Sequence, residues 1–302
     1  MNILKNCTLC PRNCRVNRYK TVGFCRANNK IKVSLAKLFF YEEPPISGIN
    51  GSGTIFFSNC NLKCCFCQNN EISEKGKGIS ITIKRLSEIM LELQDKKAHN
   101  INLVTPTMYV PQIIKAVKLA RKNGLTIPII YNTSGYENVD TINSLEGIID
   151  VYLPDFKYFN NDIAIKYSKA DNYFNYAKES LNEMVRQTGP CIFDENGLIK
   201  KGVIVRHLML PEQKNDTKEI LNYLYKTYKN DIYISIMNQY TPTNNVKYNE
   251  LKKPILKSDY EEIIDYALDL GITNAFCQED ETVSESFIPN FNFDGVKSKQ
   301  NI

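Results

Sequence analysis

Long apolar runs are missing from this 302-residue chain. No stretch approaches the ~20 apolar residues that a bilayer-spanning helix needs, so a membrane partner is not expected. The opening residues Met1-Asn2-Ile3-Leu4-Lys5-Asn6-Cys7 contain no apolar h-region. No signal peptide is therefore expected, and the protein is expected to be cytoplasmic. Internal repeats and low-complexity tracts are absent as well. Long runs of like charge are also lacking: charged residues make up 24% and the formal net charge is +5. That is an ordinary, mildly basic solvated surface, and it argues against nucleic-acid binding. Histidine is scarce, with only His99 and His207.

What the chain does have is cysteine, ten of them, against 43% hydrophobic residues that suffice for a sizeable core. In a reducing compartment structural disulfides are not expected, so metal binding or catalysis is the better explanation. Cys7, Cys10, Cys14, Cys25, Cys60, Cys64, Cys65 and Cys67 all lie before residue 70. Cys191 and Cys277 stand apart and read as ordinary small buried residues.

Residues 1–50 read as a cysteine-bearing, basic, irregular segment. It ends in Glu42-Glu43-Pro44-Pro45-Ile46-Ser47-Gly48, a turn or linker. Residues 51–278 have another rhythm. Short β-prone runs at 54–58, 101–104, 127–131, 148–153, 203–206 and 232–236 alternate with helical patterns at 83–97, 111–123, 163–186, 217–228 and 258–270. Near-continuous apolar strands alternating with helices predict a parallel sheet covered on its faces. Six such units predict an α/β fold, an incomplete (β/α)6 barrel with its chemistry at the C-terminal strand ends. Residues 279–302 read as an irregular extension.

Cys60, Cys64 and Cys67 follow the first strand with the spacing Cys-x3-Cys-x2-Cys. Such a loop can fold three thiolates around a 4Fe–4S cube, and three ligands leave one iron open, as a catalytic centre requires. Cys65 would point away and pack. A zinc site uses two separated ligand pairs, which this crowded spacing suits poorly. Cys7-x2-Cys10-x3-Cys14, followed by Cys25, supplies four thiolates, enough for tetrahedral zinc or a complete cluster. The pattern is strong for metal and weak for which metal, with zinc slightly favoured over an auxiliary 4Fe–4S cluster.

The cysteine triplet, with Phe66 before its last member, resembles the radical S-adenosylmethionine (SAM) superfamily. Cys67-Gln68-Asn69 resembles the Cys-His-Asn of pyruvate formate-lyase activating enzymes. The resemblance extends through Ile46-Ser47-Gly48, Gly51-Ser52-Gly53-Thr54, the stretch Asn100–Thr107, Tyr131-Asn132-Thr133-Ser134-Gly135-Tyr136, Asp155-Phe156-Lys157-Tyr158, Val205-Arg206-His207-Leu208 and Gln239-Tyr240-Thr241-Pro242. It implies reductive cleavage of SAM to a 5′-deoxyadenosyl radical that abstracts a hydrogen atom. The substrate implied is a partner protein, as in glycyl radical enzyme activation. Radical modification of another protein or a small molecule is the alternative, and a non-catalytic iron–sulfur electron carrier is the reading from another class. A flavodoxin or ferredoxin would supply the electron, and such acidic donors suit a basic chain.

The same resemblance places SAM contacts at Asn69, Thr105, Thr107, Asn132, Ser134, Asp155, Lys157, Arg206, His207 and Gln239. Thr105-Pro106-Thr107 stands where the family has Gly-Gly-Glu, and so lacks the family's carboxylate. Lys157 and Arg206 would pair with the SAM carboxylate. His99 precedes the second strand, at the wrong barrel end, and reads as structural. Simple activating enzymes of this type lack the N-terminal four-cysteine segment, a sign that the substrate differs.

Overall fold

The structure, a computed structural model, describes residues 3–243, 246–278 and 289–297. The chain enters through β1 (Ile31–Phe39), a short α1 (Pro44–Ser47) and β2 (Ser52–Phe57). It continues through α2 (Asn70–Ser73), β3 (Ile79–Ile81), α3 (Ile83–Asp95), β4 (Ile101–Val104), α4 (Val110–Lys122), β5 (Ile129–Thr133), α5 (Val139–Asn143) and β6 (Val151–Pro154). Then come α6 (Asn161–Ser168), α7 (Tyr173–Thr188), β7 (Ile192–Phe193), β8 (Ile199–Leu208), α8 (Lys214–Tyr228), β9 (Tyr233–Met237), α9 (Lys257–Leu270) and β10 (Ala275–Cys277).

The main sheet runs β10-β9-β8-β6-β5-β4-β2-β1-β3 and does not close. From β2 to β10 every neighbouring pair on this path is parallel. This is the incomplete α/β barrel that the alternating pattern predicts, with β10 as an extra edge strand. The irregular reading of residues 1–50 needs correction. β1 pairs antiparallel with β2, Phe39 opposite Ser52 and Val33 opposite Phe57, and β3 pairs antiparallel with β1. The alternation Ile31, Val33, Leu35 is visible in the sequence, but the cysteine motif before it draws the eye.

The single helical stretch expected over 163–186 is two helices. Lys169 and Asn172 both adopt positive φ, 52° and 54°, and end one helix before the other begins. Asn tolerates that conformation, and Lys169 is a left-handed C-cap.

Each strand feeds two cores, because its side chains alternate between faces. Outward residues such as Leu103, Tyr131, Val205 and Ile234 pack under the helices. Inward residues Ile130, Val151, Leu153 and Ile204 pack with Ile46, which α1 inserts from the barrel floor. Residues 289–297 lie along β1: Phe293 N donates to Ser34 O (3.0 Å), Ala36 N to Asp294 O (2.9 Å), and Phe291 meets Phe56 edge-on. Arg85 of α3 donates to the carbonyls of Val296, Gly295 and Lys297. No helix among the described residues is long and apolar enough to cross a membrane.

One glycine sets how closely the ends of β5 and β6 approach. Gly135 has φ +75°, and a Cβ there would run into the Asp155 carbonyl and lie 2.9 Å from the Tyr173 hydroxyl. That hydroxyl is within donating distance of Ser134 O (2.8 Å) and Asp155 O (3.0 Å), and it accepts from Lys157 N (3.0 Å). Gly135→Ala should lower stability by about 1–3 kcal/mol in urea unfolding, through overpacking and the left-handed conformation together. A change below ~0.5 kcal/mol would show that this approach tolerates a methyl group.

Candidate active site

β2 ends at Phe57, and Asn59, with φ +75°, turns the chain into the cysteine loop. Three anchors hold the loop. Asn59 N donates to Ile72 O, and Asn59 Nδ2 to the Tyr109 hydroxyl (3.0 Å). Because α6 stops at Ser168, its last carbonyls lack helical partners. Tyr167 O accepts from Cys65 N (2.8 Å) and Ser168 O from Lys63 N (3.1 Å). From the other side Arg12 Nε donates to Asn61 O (2.9 Å), its guanidinium lying 3.8 Å over the Phe24 ring. Asn61 Nδ2 in turn donates to Tyr136 O (2.6 Å).

Within the loop Cys60, Cys64 and Cys67 are close enough for their charges to act on one another. Burial pushes the Cys60 thiol up to about 12, with Cys64 and then Cys67 as like-charged neighbours. Burial likewise pushes Cys64 to about 11, against the pull of the Lys157 ammonium. The Ser168 hydroxyl donates to Cys64 Sγ (2.9 Å), and Cys67 Sγ lies 3.2 Å from Ser73 Oγ. Cys65 is different: the charges it faces are Glu250 and Lys166. Three thiols within electrostatic reach of one another, and a fourth whose charged neighbours are Glu250 and Lys166, are in number and kind the donors that a cubane with an open iron requires, so the residues present fit that group.

Beside the loop a cavity of about 500 Å³ occupies the barrel interior, lined among others by Asn69, Asn132, Arg206 and Gln239. Arg206 is its hub. It donates to Asp155 Oδ1 (3.1 Å), Asn132 Oδ1 (2.6 Å) and Glu42 Oε2 (3.2 Å). Asp155 Oδ2 lies 2.7 Å from Lys157 Nζ. Glu42 Oε1 accepts from Asn102 Nδ2 (2.9 Å). Burial opposes ionisation of Asp155, but Lys157 and Arg206 outweigh it and hold the carboxyl below its usual range. Burial pushes Glu42 up to about 7 despite Arg206.

The structure thus brings Asn69, Asn132, Asp155, Lys157, Arg206 and Gln239 together. Ser134 sits beside the cysteine loop, its hydroxyl 3.3 Å from Asn61 Oδ1. Thr105 follows β4 with φ +57°, a conformation that a β-branched residue rarely adopts and that glycine takes freely. Thr107 and His207 lie elsewhere. Thr107 Oγ1 donates to the buried Glu137 (2.5 Å), which Thr133 also contacts. His207 alternates with Arg206 and so projects outward. Its Nδ1 lies 2.7 Å from Phe156 O and its Nε2 2.9 Å from Thr217 Oγ1 on α8. A carbonyl only accepts, so the proton sits on Nδ1. His99 Nε2 accepts from Asn50 N (3.0 Å). Cys277, expected to be buried, is exposed and lines the cavity.

Glu42, Glu43, Asn102, Arg12 and Ser168 are missed by reasoning from strand ends alone. Glu42 and Glu43 sit in what reads as a linker. Their signal is weak: two acids before Pro44-Pro45, next to the apolar Ile46.

At the N-terminus Cys7, Cys10, Cys14 and Cys25 ring a void of about 10 Å³. Gly23 leaves room for Cys14, and Phe24 N donates to Cys14 Sγ (3.4 Å). Burial raises the thiols of Cys10 and Cys25. Among the described residues, in this segment and in the Cys60–Cys67 loop alike, no three His, Cys, Asp or Glu side chains are closed to the spacing of a single bound ion.

An open, mostly parallel barrel carrying a three-thiol loop at its reactive end defines an α/β protein built to hold a cofactor there. Residues 54–224 match the model of the Radical SAM superfamily, and the chain belongs to that superfamily. It is 32% identical to an uncharacterized protein of Methanocaldococcus jannaschii over 88% of this chain and 75% of the other. A Haemophilus influenzae protein that bears the name "Putative glycyl-radical enzyme activating enzyme" is 27% identical over 37% of this chain and 45% of its own length. The fold is similar to that of the hydrogenase maturase HydG from Carboxydothermus hydrogenoformans (TM-score 0.52, 13% identity, 76% of this chain and 54% of that one). It is also similar to Streptococcus suis SuiB bound to SAM (TM-score 0.50, 16% identity, 73% and 48%). This chain spans about half the length of those two solved proteins.

Two outcomes follow from the side chains. Arg206→Met removes the cation shared by Glu42 and Asp155, and should cost about 3–5 kcal/mol in chemical unfolding, the scale for breaking a buried ion pair. His207 should make stability fall on acidification. Burial pushes its folded value to about 4 from an ordinary 6.5, so the unfolded chain takes the proton first. Its contribution, up to ~3 kcal/mol, is present above pH 6.5 and is lost as pH falls through 4. In His207→Gln the unfolding free energy should depend less steeply on pH across that window.

Proposed function

We propose that the chain reductively cleaves SAM at a cluster held by Cys60, Cys64 and Cys67, and uses the resulting radical to abstract a hydrogen atom from a partner protein. The observation that carries this reading is the electrostatically coupled thiols of Cys60, Cys64 and Cys67, on a loop whose next residues, Gln68 and Asn69, line the Arg206 cavity. When bound, a 4Fe–4S cluster with one open iron and SAM supply one-electron cleavage to a 5′-deoxyadenosyl radical. The chain's own residues partly bury the three cysteines and place Ser168 and Lys157 beside Cys64. They also present Arg206, Lys157, Asn132, Asn69 and Gln239 as charged and amide groups for SAM.

Two observations support a protein substrate. The Haemophilus influenzae relative is named for activating a glycyl-radical enzyme, and the cavity of this chain opens beside β1 past Tyr41, which is 59% exposed. An open side admits a loop of another chain. We place the chain in the pyruvate formate-lyase activating enzyme-like branch, with a flavodoxin or ferredoxin as the electron donor. We assign a zinc ion to Cys7, Cys10, Cys14 and Cys25, because four thiolates in the spacing Cys-x2-Cys-x3-Cys…Cys supply a tetrahedral set; an auxiliary 4Fe–4S cluster is the alternative. We divide the chain into a cysteine-rich segment (1–50), the partial barrel (51–278) and an extension (279–302). A cytoplasmic location accords with the free thiols.

Anaerobic reconstitution followed by dithionite and SAM should yield 5′-deoxyadenosine. Ala at Cys60, Cys64 or Cys67 should abolish it, and Cys65→Ala should retain it. Activity in Cys64→Ala together with loss in Cys65→Ala would overturn the ligand assignment. Metal analysis should find about four irons and one zinc per chain, whereas about eight irons without zinc would place a second cluster at the N-terminus.

A further inference from the structure

Charge is divided unevenly along this chain. Residues 1–41 hold nine lysines and arginines and no aspartate or glutamate. The other 29 cations are outnumbered by all 33 acids. The net charge of +5 thus joins a strongly basic segment to a slightly acidic body.

The fold gathers part of this segment into a basic patch on one flank of the cysteine loop, centred on Phe24. The Arg12 guanidinium lies 3.8 Å over the Phe24 ring, and Lys63 Nζ, from within the loop, lies 5.9 Å from it. Arg12 Nη2 and Lys63 Nζ are both enclosed and have no hydrogen-bond partner. Arg15 follows Cys14, whose thiol accepts from Phe24 N. Arg26 donates to Glu74 O (3.1 Å), which precedes Lys75. Arg15, Arg26 and Lys75 are exposed. Among the described residues none of these five cations closes an ion pair, whereas Lys166 pairs with Glu250, Lys200 with Asp194, and Lys214 and Lys218 with Glu262. Two acids flank the patch. Glu71 is paired with Lys77 (2.9 Å) and feels Lys75 more weakly, which leaves Glu74 against five cations. Enclosed cations without counter-charge raise the potential over the surface above them and steer acidic partners to it.

The place of the patch decides what kind of partner it fits. The cavity meets the loop at Gln68 and Asn69, past its last cysteine. The patch meets the loop at its other end. Arg12 Nε donates to Asn61 O (2.9 Å), and Asn61 Oδ1 lies 3.9 Å from Cys60 Sγ. We propose that this patch is the docking surface of an acidic one-electron donor protein, with the Phe24 ring at its centre and Arg15, Arg26 and Lys75 around it. This deepens the radical SAM reading and rests on it. The donor's reduced cofactor loses one electron and the cluster gains one, with no atom transferred. A donor seated on Phe24 reaches Cys60 through Arg12 and Asn61 and leaves the cavity side to SAM and substrate.

The test uses the full chain, anaerobically reconstituted and mixed with SAM. Stopped-flow absorbance follows oxidation of two acidic probes, flavodoxin hydroquinone and reduced ferredoxin, with dithionite as the small reductant in parallel. Reversing the patch by Arg15→Glu, Arg26→Glu and Lys75→Glu together should slow oxidation of at least one probe by about tenfold at low salt, and leave the dithionite rate within about twofold. Added salt should slow the unaltered chain and bring it toward the reversed one. Neutral Gln at the same three positions should give a smaller loss in the same direction. Lys115→Glu, Lys118→Glu and Lys122→Glu on α4 change the net charge equally and should leave every rate within about twofold. Probe rates that patch reversal leaves unchanged would overturn the proposal. Equal losses in the α4 set would overturn it too, because net charge and not docking would then be responsible. So would loss of the dithionite rate in both the Glu and the Gln sets, which would make the three residues structural. Retention of a short RNA duplex that patch reversal abolishes, with probe rates unchanged, would assign the patch to nucleic acid instead. Failure of the unaltered chain to form 5′-deoxyadenosine with dithionite would remove the radical SAM reading, and shows separately from any probe rate.

Discussion

The buried guanidinium of Arg206 is the constraint on which the reactive end of this fold depends. It joins three parts of the chain that are far apart in sequence: Glu42 after β1, Asn132 at the end of β5 and Asp155 after β6. A planar fork with several donors can serve all three at once, as a lysine could not. The arrangement costs desolvation and is weak evidence for stability in itself. What it contributes is position. It holds the segment bearing Glu42 and Glu43 inside the barrel, and it holds Asp155 where Lys157 can lie across the Cys64 side of the cavity.

The same logic runs through the cysteine loop. Nothing in the loop is regular secondary structure, yet its backbone is pinned from both flanks. On one flank the last carbonyls of α6 receive Cys65 N and Lys63 N, so the break between α6 and α7 is part of the site. On the other, Arg12 reaches from between Cys10 and Cys14 to the Asn61 carbonyl. Further contacts tie this segment to α5 and the turn before it: Asn138 Nδ2 to Thr8 O (2.8 Å) and Thr141 Oγ1 to Leu9 O (2.7 Å). The N-terminal cysteines therefore sit in a platform that supports the Cys60–Cys67 loop from behind. Metal there would stiffen Arg12, because ligation fixes both sides of the short turn that carries it.

Much of this was legible in the sequence, and for definable reasons. Parallel strands buried on both faces announce themselves as short apolar runs, so β4, β5, β6 and β9 are visible directly. The cysteine triplet is visible because its spacing has few other uses. Arg206, Asp155 and Lys157 are visible because strand ends are where such barrels keep their chemistry. His207 shows the limit of that rule. Adjacent residues on a strand point to opposite faces, so only one of Arg206 and His207 could enter the cavity, and the alternation from Ile204 already favours Arg206. Thr107 misleads similarly, since it lies beyond the strand in a turn whose path the sequence does not fix. Glu42 and Glu43 were hidden for a different reason. Their burial depends on α1 folding back into the barrel floor, a long-range contact of Ile46 with Ile130, Val151 and Ile204 that no local pattern encodes.

The central claim is that Cys60, Cys64 and Cys67 hold a cluster whose fourth iron is open to SAM beside Arg206. Electron paramagnetic resonance of the anaerobically reduced protein, recorded before and after adding SAM, tests it most directly. The unaltered chain should give the signal of a reduced 4Fe–4S cluster whose g-values shift on SAM addition, and whose lines then broaden at unchanged g-values when the SAM methionine carboxylate or amine carries a magnetic isotope label. A reduced-cluster signal that SAM leaves unchanged would mean that every iron is already ligated by protein, and would contradict the account.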